Sequence, residues 1–232
     1  QEADRLDPNK PDVLEAIARL GQKVGLPEEE LLGVLERLGA IEGKGDKDRA
    51  QSLVRAAEIA KNHDWNRAQA LFERARKDDP DLPAAVDGLA MLLRDRGELA
   101  AASALYIKAA DRPGLLTERS RWLADAADLR VALGDFEDAK ELYRDARRAD
   151  ITNHRAGVAL VELCWDTGSL VELAPILDEL CRTTVEPDRL RHYLLQRSKV
   201  AMELGEATNA RMTLARAVDL DPVDVAARKQ LG

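Results

Sequence analysis

Four glycines recur along the sequence at a spacing that favours one architecture above others. Gly97, Gly134, Gly168 and Gly205 are separated by 37, 34 and 37 residues, and each follows one helical stretch and precedes another. A glycine at a helix end can adopt the left-handed backbone conformation that turns the chain sharply. A period of this length indicates tandem helical hairpins that stack upon each other.

The residues that follow each turn repeat as well. His63 lies 34 residues before Gly97, which extends the register upstream to a fifth turn. The fifth residue after a turn is small in four repeats of five, the ninth is aromatic or leucine, and the twelfth is alanine in all but one. These offsets place the three columns on one helical face. The columns are Ala68, Ala102, Ala139, Leu173 and Ala210; Phe72, Tyr106, Tyr143, Leu177 and Leu214; and Ala75, Ala109, Ala146, Leu180 and Ala217.

Composition supports an all-α class and excludes several kinds of partner. Aromatic residues make up 3% of the 232 residues and charged residues 34%, so that the core must be built from small aliphatic side chains. The formal net charge of −8 opposes binding to nucleic acid and to acidic membrane surfaces. No stretch is apolar enough for direct membrane insertion or for a leader at the N-terminus, and a cytoplasmic location is expected.

The period, the three columns and the prolines at Pro80 and Pro222, seventeen residues after a turn, resemble the tetratricopeptide repeat across residues 49–222. This resemblance implies an all-α, right-handed α-α superhelix of about six hairpins plus a partial one. Five hairpins are predicted within residues 46–222, at 49–80, 83–113, 116–150, 154–184 and 188–222. We expect a divergent hairpin and a linker in residues 1–45 and the start of a further helix in 223–232. The chain is therefore expected to be a fragment of a longer, bacterial protein.

No set of residues in the sequence predicts catalysis, a cofactor or a metal. Cys164 and Cys181 fall on apolar helical faces, where a free thiol is usually structural. The three histidines, His63, His154 and His192, have no second ligand at metal-binding spacing. We therefore expect a protein that is not an enzyme and holds no cofactor.

The resemblance also implies a binding surface, because the first helix of each hairpin lines the concave face of such a superhelix. In the family, groove residues lie two, three, six, ten and thirteen residues before the turn. These positions give the groove residues Met91, Arg94, Asp95, Arg121, Asp128, Arg155, Glu162, Trp165, Asp166, Lys199, Met202 and Glu203. Trp165 is either an interface anchor in this groove or a filler beside the fourth hairpin. Trp65 and Trp122 are predicted to lie in the core.

The predicted function is that of a scaffold that binds a protein or peptide partner in the groove, as part of a larger assembly. The clamp by which some members of the family hold acidic chaperone tails needs lysine ten and asparagine six residues before the turn, and no repeat carries this pair. Two alternatives remain open. The chain could be the accessory region of a larger enzyme, such as a glycosyltransferase, or a module that forms homo-oligomers through its ends.

Overall fold

All regular structure in the described residues is helical. The computed structural model describes residues 10–41, 45–113 and 116–221, and within these ranges it contains twelve helices and no strand. The prediction of an all-α class is therefore confirmed. The helices are α1 (Pro11–Val24), α2 (Glu28–Ala40), α3 (Asp46–Ala60), α4 (Trp65–Asp78), α5 (Pro83–Asp95), α6 (Leu99–Ala110), α7 (Leu116–Leu133), α8 (Phe136–Ala149), α9 (His154–Asp166), α10 (Leu170–Thr183), α11 (Pro187–Glu203) and α12 (Ala207–Leu220).

The helices form hairpins within two compact units, Gln1–Pro113 and Gly114–Gly232. Unit 1 contains α1 to α6 and unit 2 contains α7 to α12, and within each unit helices that follow one another in sequence pack together. In unit 2, α8 packs on both α7 and α9, and α10 packs on both α9 and α11. This succession stacks one hairpin on the next. The predicted division at residue 45 stays a prediction, and the further helix expected in 223–232 lies outside the described residues.

Glycine sets the turn between the two helices of most hairpins. At the end of α5, Gly97 has a φ of 80°, a left-handed conformation that other residues adopt at a cost. Its N–H donates to the carbonyl of Arg94, and the N–H of Glu98 donates to the carbonyl of Leu93, both at 2.9 Å. These two bonds satisfy the last carbonyls of the helix. Positive φ values recur at Gly25, Gly134, Gly168 and Gly205.

The turn between α3 and α4 is built without glycine. His63 occupies the position of the turn glycine, and its φ is not positive. Instead, the side chain of Asp64 accepts a hydrogen bond of 3.0 Å from the N–H of Arg67 and caps the start of α4. A cap of this kind satisfies one of the free N–H groups of the first turn. The hairpin register therefore survives a change in turn chemistry.

The core consists of alanine and leucine with a few large side chains. Phe72 in unit 1 and Trp122 in unit 2 are completely buried. Ala68 and Ala75, the fifth and twelfth residues after the turn at His63, are completely buried as well. The prediction for Trp122 is confirmed. The prediction for Trp65 is wrong: its side chain is 39% exposed, because it is the first residue of α4 and lies at the end of the hairpin.

Buried cations join neighbouring hairpins in unit 2. Lys140 of α8 is only 2% exposed, and its Nζ donates to Oγ of Ser169, the residue before α10, at 3.0 Å. Arg197 of α11 is 7% exposed, and its Nε donates to Oδ1 of Asp178 on α10 at 2.8 Å. A buried charge is tolerated only when it is paired or hydrogen-bonded. Each of these two hairpin interfaces thus has its own polar contact.

Candidate functional site

The groove residues predicted from the sequence lie on the first helices of the hairpins. In unit 1, Met91, Arg94 and Asp95 lie exposed on the last turns of α5, where Arg94 and Asp95 pair at 3.2 Å. The other nine belong to unit 2, where all but the half-buried Arg121 and Trp165 are exposed. They are Arg121 and Asp128 on α7; Arg155, Glu162, Trp165 and Asp166 on α9; and Lys199, Met202 and Glu203 on α11. Their role in binding stays a prediction.

Two of the predicted residues in unit 2 bind each other. Nη2 of Arg155 donates to Oδ1 of Asp125 and to Oδ2 of Asp128, each at 2.6 Å. The hydroxyl of Tyr143 donates to the other oxygen of Asp128. Burial first, and then this hydrogen bond, raise the pKa of Tyr143 well above its ordinary value. Because Arg155 is already paired with two carboxylates of α7, it holds α9 against α7 and offers little free positive charge to a ligand.

Trp165 lies between the two environments that the sequence left open. Its side chain is half-buried on α9, and Nζ of Lys199 on α11 stands 5.0 Å from the centre of its ring. A cation over an indole face is worth about 0.5–1 kcal/mol at an exposed site. The contact joins two consecutive first helices and keeps part of the tryptophan at the surface.

A pocket of about 680 Å³ lies between α9 and α11. We call it the α9–α11 groove. Val161 and Tyr193 form a buried apolar floor, and Val158 is an exposed apolar side chain on its wall. Its remaining lining residues are His154, Arg155, Ala159, Glu162, Asp188, Arg189, His192 and Gln196. An apolar floor with a few polar side chains around it is typical of a ligand-binding site.

Most of the lining of this groove was not predicted. Only Arg155 and Glu162 belong to the predicted set. His192 lies thirteen residues before Gly205, and Val158 lies ten residues before Gly168. Both are groove positions in the family, so the same count from the turn could have predicted these two residues. Asp188, by contrast, lies in the first turn of α11 and enters the groove only because α9 and α11 both pack on α10 and line the same pocket.

Two smaller pockets lie elsewhere in the two units. The first is lined mostly by polar side chains, and the second lies on the second helices of two hairpins. One, of about 430 Å³, lies between α1 and α3 in unit 1, with Asp12, Arg19 and Arg55 among its lining. The other, of about 510 Å³, lies between α8 and α10 in unit 2, where Arg144 and Glu172 pair at 2.9 Å. Both offer less apolar surface than the α9–α11 groove.

The two cysteines are buried in unit 2, on α9 and α10. Burial raises the pKa of the Cys181 thiol to about 11, and burial also raises the pKa of Cys164. Because the thiolate is the reactive form, both thiols should resist modification. We expect Ellman's reagent at pH 8 to label Cys181 about 100-fold more slowly than a free cysteine and to label Cys164 more slowly as well. In guanidinium chloride both should react at full rate. Rapid labelling of the folded chain would contradict this arrangement.

The described residues contain no cluster of three or more His, Cys, Asp or Glu side chains that could hold a metal ion. Among the same residues, no helix has the length and apolar character needed to cross a membrane.

Comparisons with known proteins agree with this architecture. A family model described as a tetratricopeptide repeat matches residues 124–183, which extend from α7 to α10. A comparison with curated protein sequences finds no match.

Solved structures similar to this chain share its fold at low sequence identity. The C-terminal part of a TPR repeat-containing protein from Cytophaga hutchinsonii is 11% identical, with a TM-score of 0.63 over 100% of this chain and 91% of that one. PilF from Pseudomonas aeruginosa is 14% identical, with a TM-score of 0.51 over 99% and 98% of the two chains. Residues 124–183 thus match the tetratricopeptide repeat, and the chain shares the all-α fold of structures built from such repeats.

Proposed function

We propose that this chain is a non-enzymatic scaffold and that unit 2 binds a partner protein through the α9–α11 groove. Tetratricopeptide repeat proteins generally mediate interactions between proteins and bind protein or peptide partners. The observation that carries the proposal is the groove itself, with the exposed Val158 above the buried Val161 and Tyr193. Membership of a larger assembly and a cytoplasmic location belong to the same proposal.

Several groups around the groove suit a protein ligand. The indole of Trp165 on α9 is partly exposed and has Lys199 against its ring. Met202 on α11 is also exposed. Tryptophan and methionine are enriched at the centres of protein interfaces. The charged side chains at the edge would then set orientation and partner choice more than affinity.

The test compares one substitution at two places. Val158→Arg puts a long charged side chain into the groove, whereas Val171→Arg makes the same change at an exposed site on the second helix α10. We expect the affinity-tagged chain with Val158→Arg to lose partners that the wild type and the Val171→Arg variant both recover from lysate of the source organism. Equal recovery by all three chains would remove the groove from the proposal. Circular dichroism should show the same helicity in each.

A further inference from the structure

The α9–α11 groove presents hydrogen-bond acceptors that lack donors. Glu162 on α9 and Asp188 on α11 both line it, and neither carboxylate has an ion-pair partner among the residues that the structure describes. Oε1 of Gln196, also in the lining, is buried and accepts no hydrogen bond within the same ranges. The lining of one pocket thus includes three side-chain acceptors from two helices.

The cations in the lining do not compensate these carboxylates. Arg155 is held by Asp125 and Asp128, as described above, and Nε of Arg189 pairs with Glu186 at 2.7 Å. An ion in a half-enclosed pocket is screened by water less than one on an open surface. The groove therefore has an uncompensated negative charge, in a chain whose formal net charge is −8.

The shape and chemistry of the pocket favour one kind of side chain. Val158, Val161 and Tyr193 offer apolar contacts to an aliphatic stem, while the acceptors at the edge require a head that is rich in donors. Arginine combines such a stem with five N–H donors in a planar fork that can serve several oxygens at once. A lysine ammonium carries the same charge but meets separate acceptors less well.

We propose that the α9–α11 groove binds a basic segment of a partner protein and seats one arginine side chain between Glu162, Asp188 and Gln196. This inference rests on the proposed function and specifies its partner. It also agrees with the absence of the lysine and asparagine pair that would hold an acidic tail. Opposite charge on the two partners would speed their encounter and make binding weaken as salt is added.

The experiment selects peptides without assuming a partner. A display library of random dodecapeptides is selected on the whole chain, and peptides that also bind the Val158→Arg variant are removed. We expect the remaining peptides to share an arginine at one position. In the best synthetic peptide, changing that arginine to glutamine should weaken binding about tenfold, as the loss of two partly exposed charge pairs implies. Changing it to lysine should weaken binding less.

Matched variants of the protein test the two carboxylates. Glu162→Gln with Asp188→Asn should weaken the same peptide about tenfold in fluorescence anisotropy. Asp138→Asn with Asp219→Asn changes the net charge equally at exposed sites on α8 and α12, and should leave binding unchanged. Equal loss in both double variants would overturn the pocket assignment.

The selection separates failure of this inference from failure of the proposed function. Groove-dependent peptides without a shared basic residue would overturn the arginine inference and leave a peptide-binding groove. If no selected peptide is sensitive to Val158→Arg, both proposals fail.

Discussion

Replacing Trp122 with alanine is expected to lower the free energy of unfolding of unit 2 by about 3–5 kcal/mol, the range for removing a large aromatic side chain from a packed core. The ring of Trp122 is completely buried in α7, so that its loss leaves a cavity that alanine-rich neighbours cannot fill. Guanidinium unfolding followed by far-ultraviolet circular dichroism would measure the change. Stacked repeats can unfold in steps, and the transition to compare is the one that the substitution moves.

The control is the same substitution at Trp65. That side chain is 39% exposed at the start of α4, so Trp65→Ala removes little buried surface and should cost less than about 1 kcal/mol. If both variants lost the same free energy of unfolding, the difference in burial between the two tryptophans would be contradicted.

The Gly88→Ala variant is expected to destabilise unit 1 by about 1–3 kcal/mol through overpacking. A Cβ atom at Gly88 would lie 2.3 Å from Cε1 and 2.4 Å from Cζ of Phe72, closer than carbon atoms can approach. The ring of Phe72 is completely buried and rigid, so that it cannot move aside at low cost. In a Phe72→Leu background, Gly88→Ala should cost less, and a double-mutant cycle would measure this coupling.

Gly33→Ala is the matched control, because it makes the same change inside helix α2 where a Cβ would meet nothing within 4 Å. Alanine is the better helix former by about 1 kcal/mol, so this variant should be more stable than the wild type. The two glycines should therefore shift the thermal midpoint in opposite directions. A shift of the same sign for both would contradict the close contact at Gly88.

The helices were predictable because turn chemistry and hydrophobic period are local properties of the sequence. Gly97 and Gly205 mark helix ends by a backbone conformation that glycine favours, and the columns that contain Phe72 and Tyr143 mark one face. Trp65 was misplaced for a local reason too. A residue next to a turn can fall on the apolar stripe of a helix and still lie where no neighbouring helix covers it.

The site was less predictable, because it depends on distances between hairpins. The sequence offers Asp128 and Arg155 as two independent groove charges, whereas the structure pairs them at 2.6 Å. In the same way, Glu162 and Asp188 are 26 residues apart in sequence and line one pocket only because their helices, α9 and α11, both pack on α10. Offsets from a turn locate a helix face, but they do not say which charges on that face neutralise each other.

The buried cations of unit 2 have a consequence for how such an array could evolve. Lys140 binds Ser169 of the following hairpin as well as Glu137 of its own helix. Arg197 binds Asp178 of the preceding hairpin as well as Glu206 of its own. If a gene duplication inserted a second copy of the α11–α12 hairpin, Arg197 of that copy would follow α12 instead of α10 and would lose its hydrogen bond with Asp178, at a cost of about 1.5–3 kcal/mol. These contacts therefore favour the present order of the hairpins in unit 2, in which each buried cation meets an acceptor on the neighbouring hairpin.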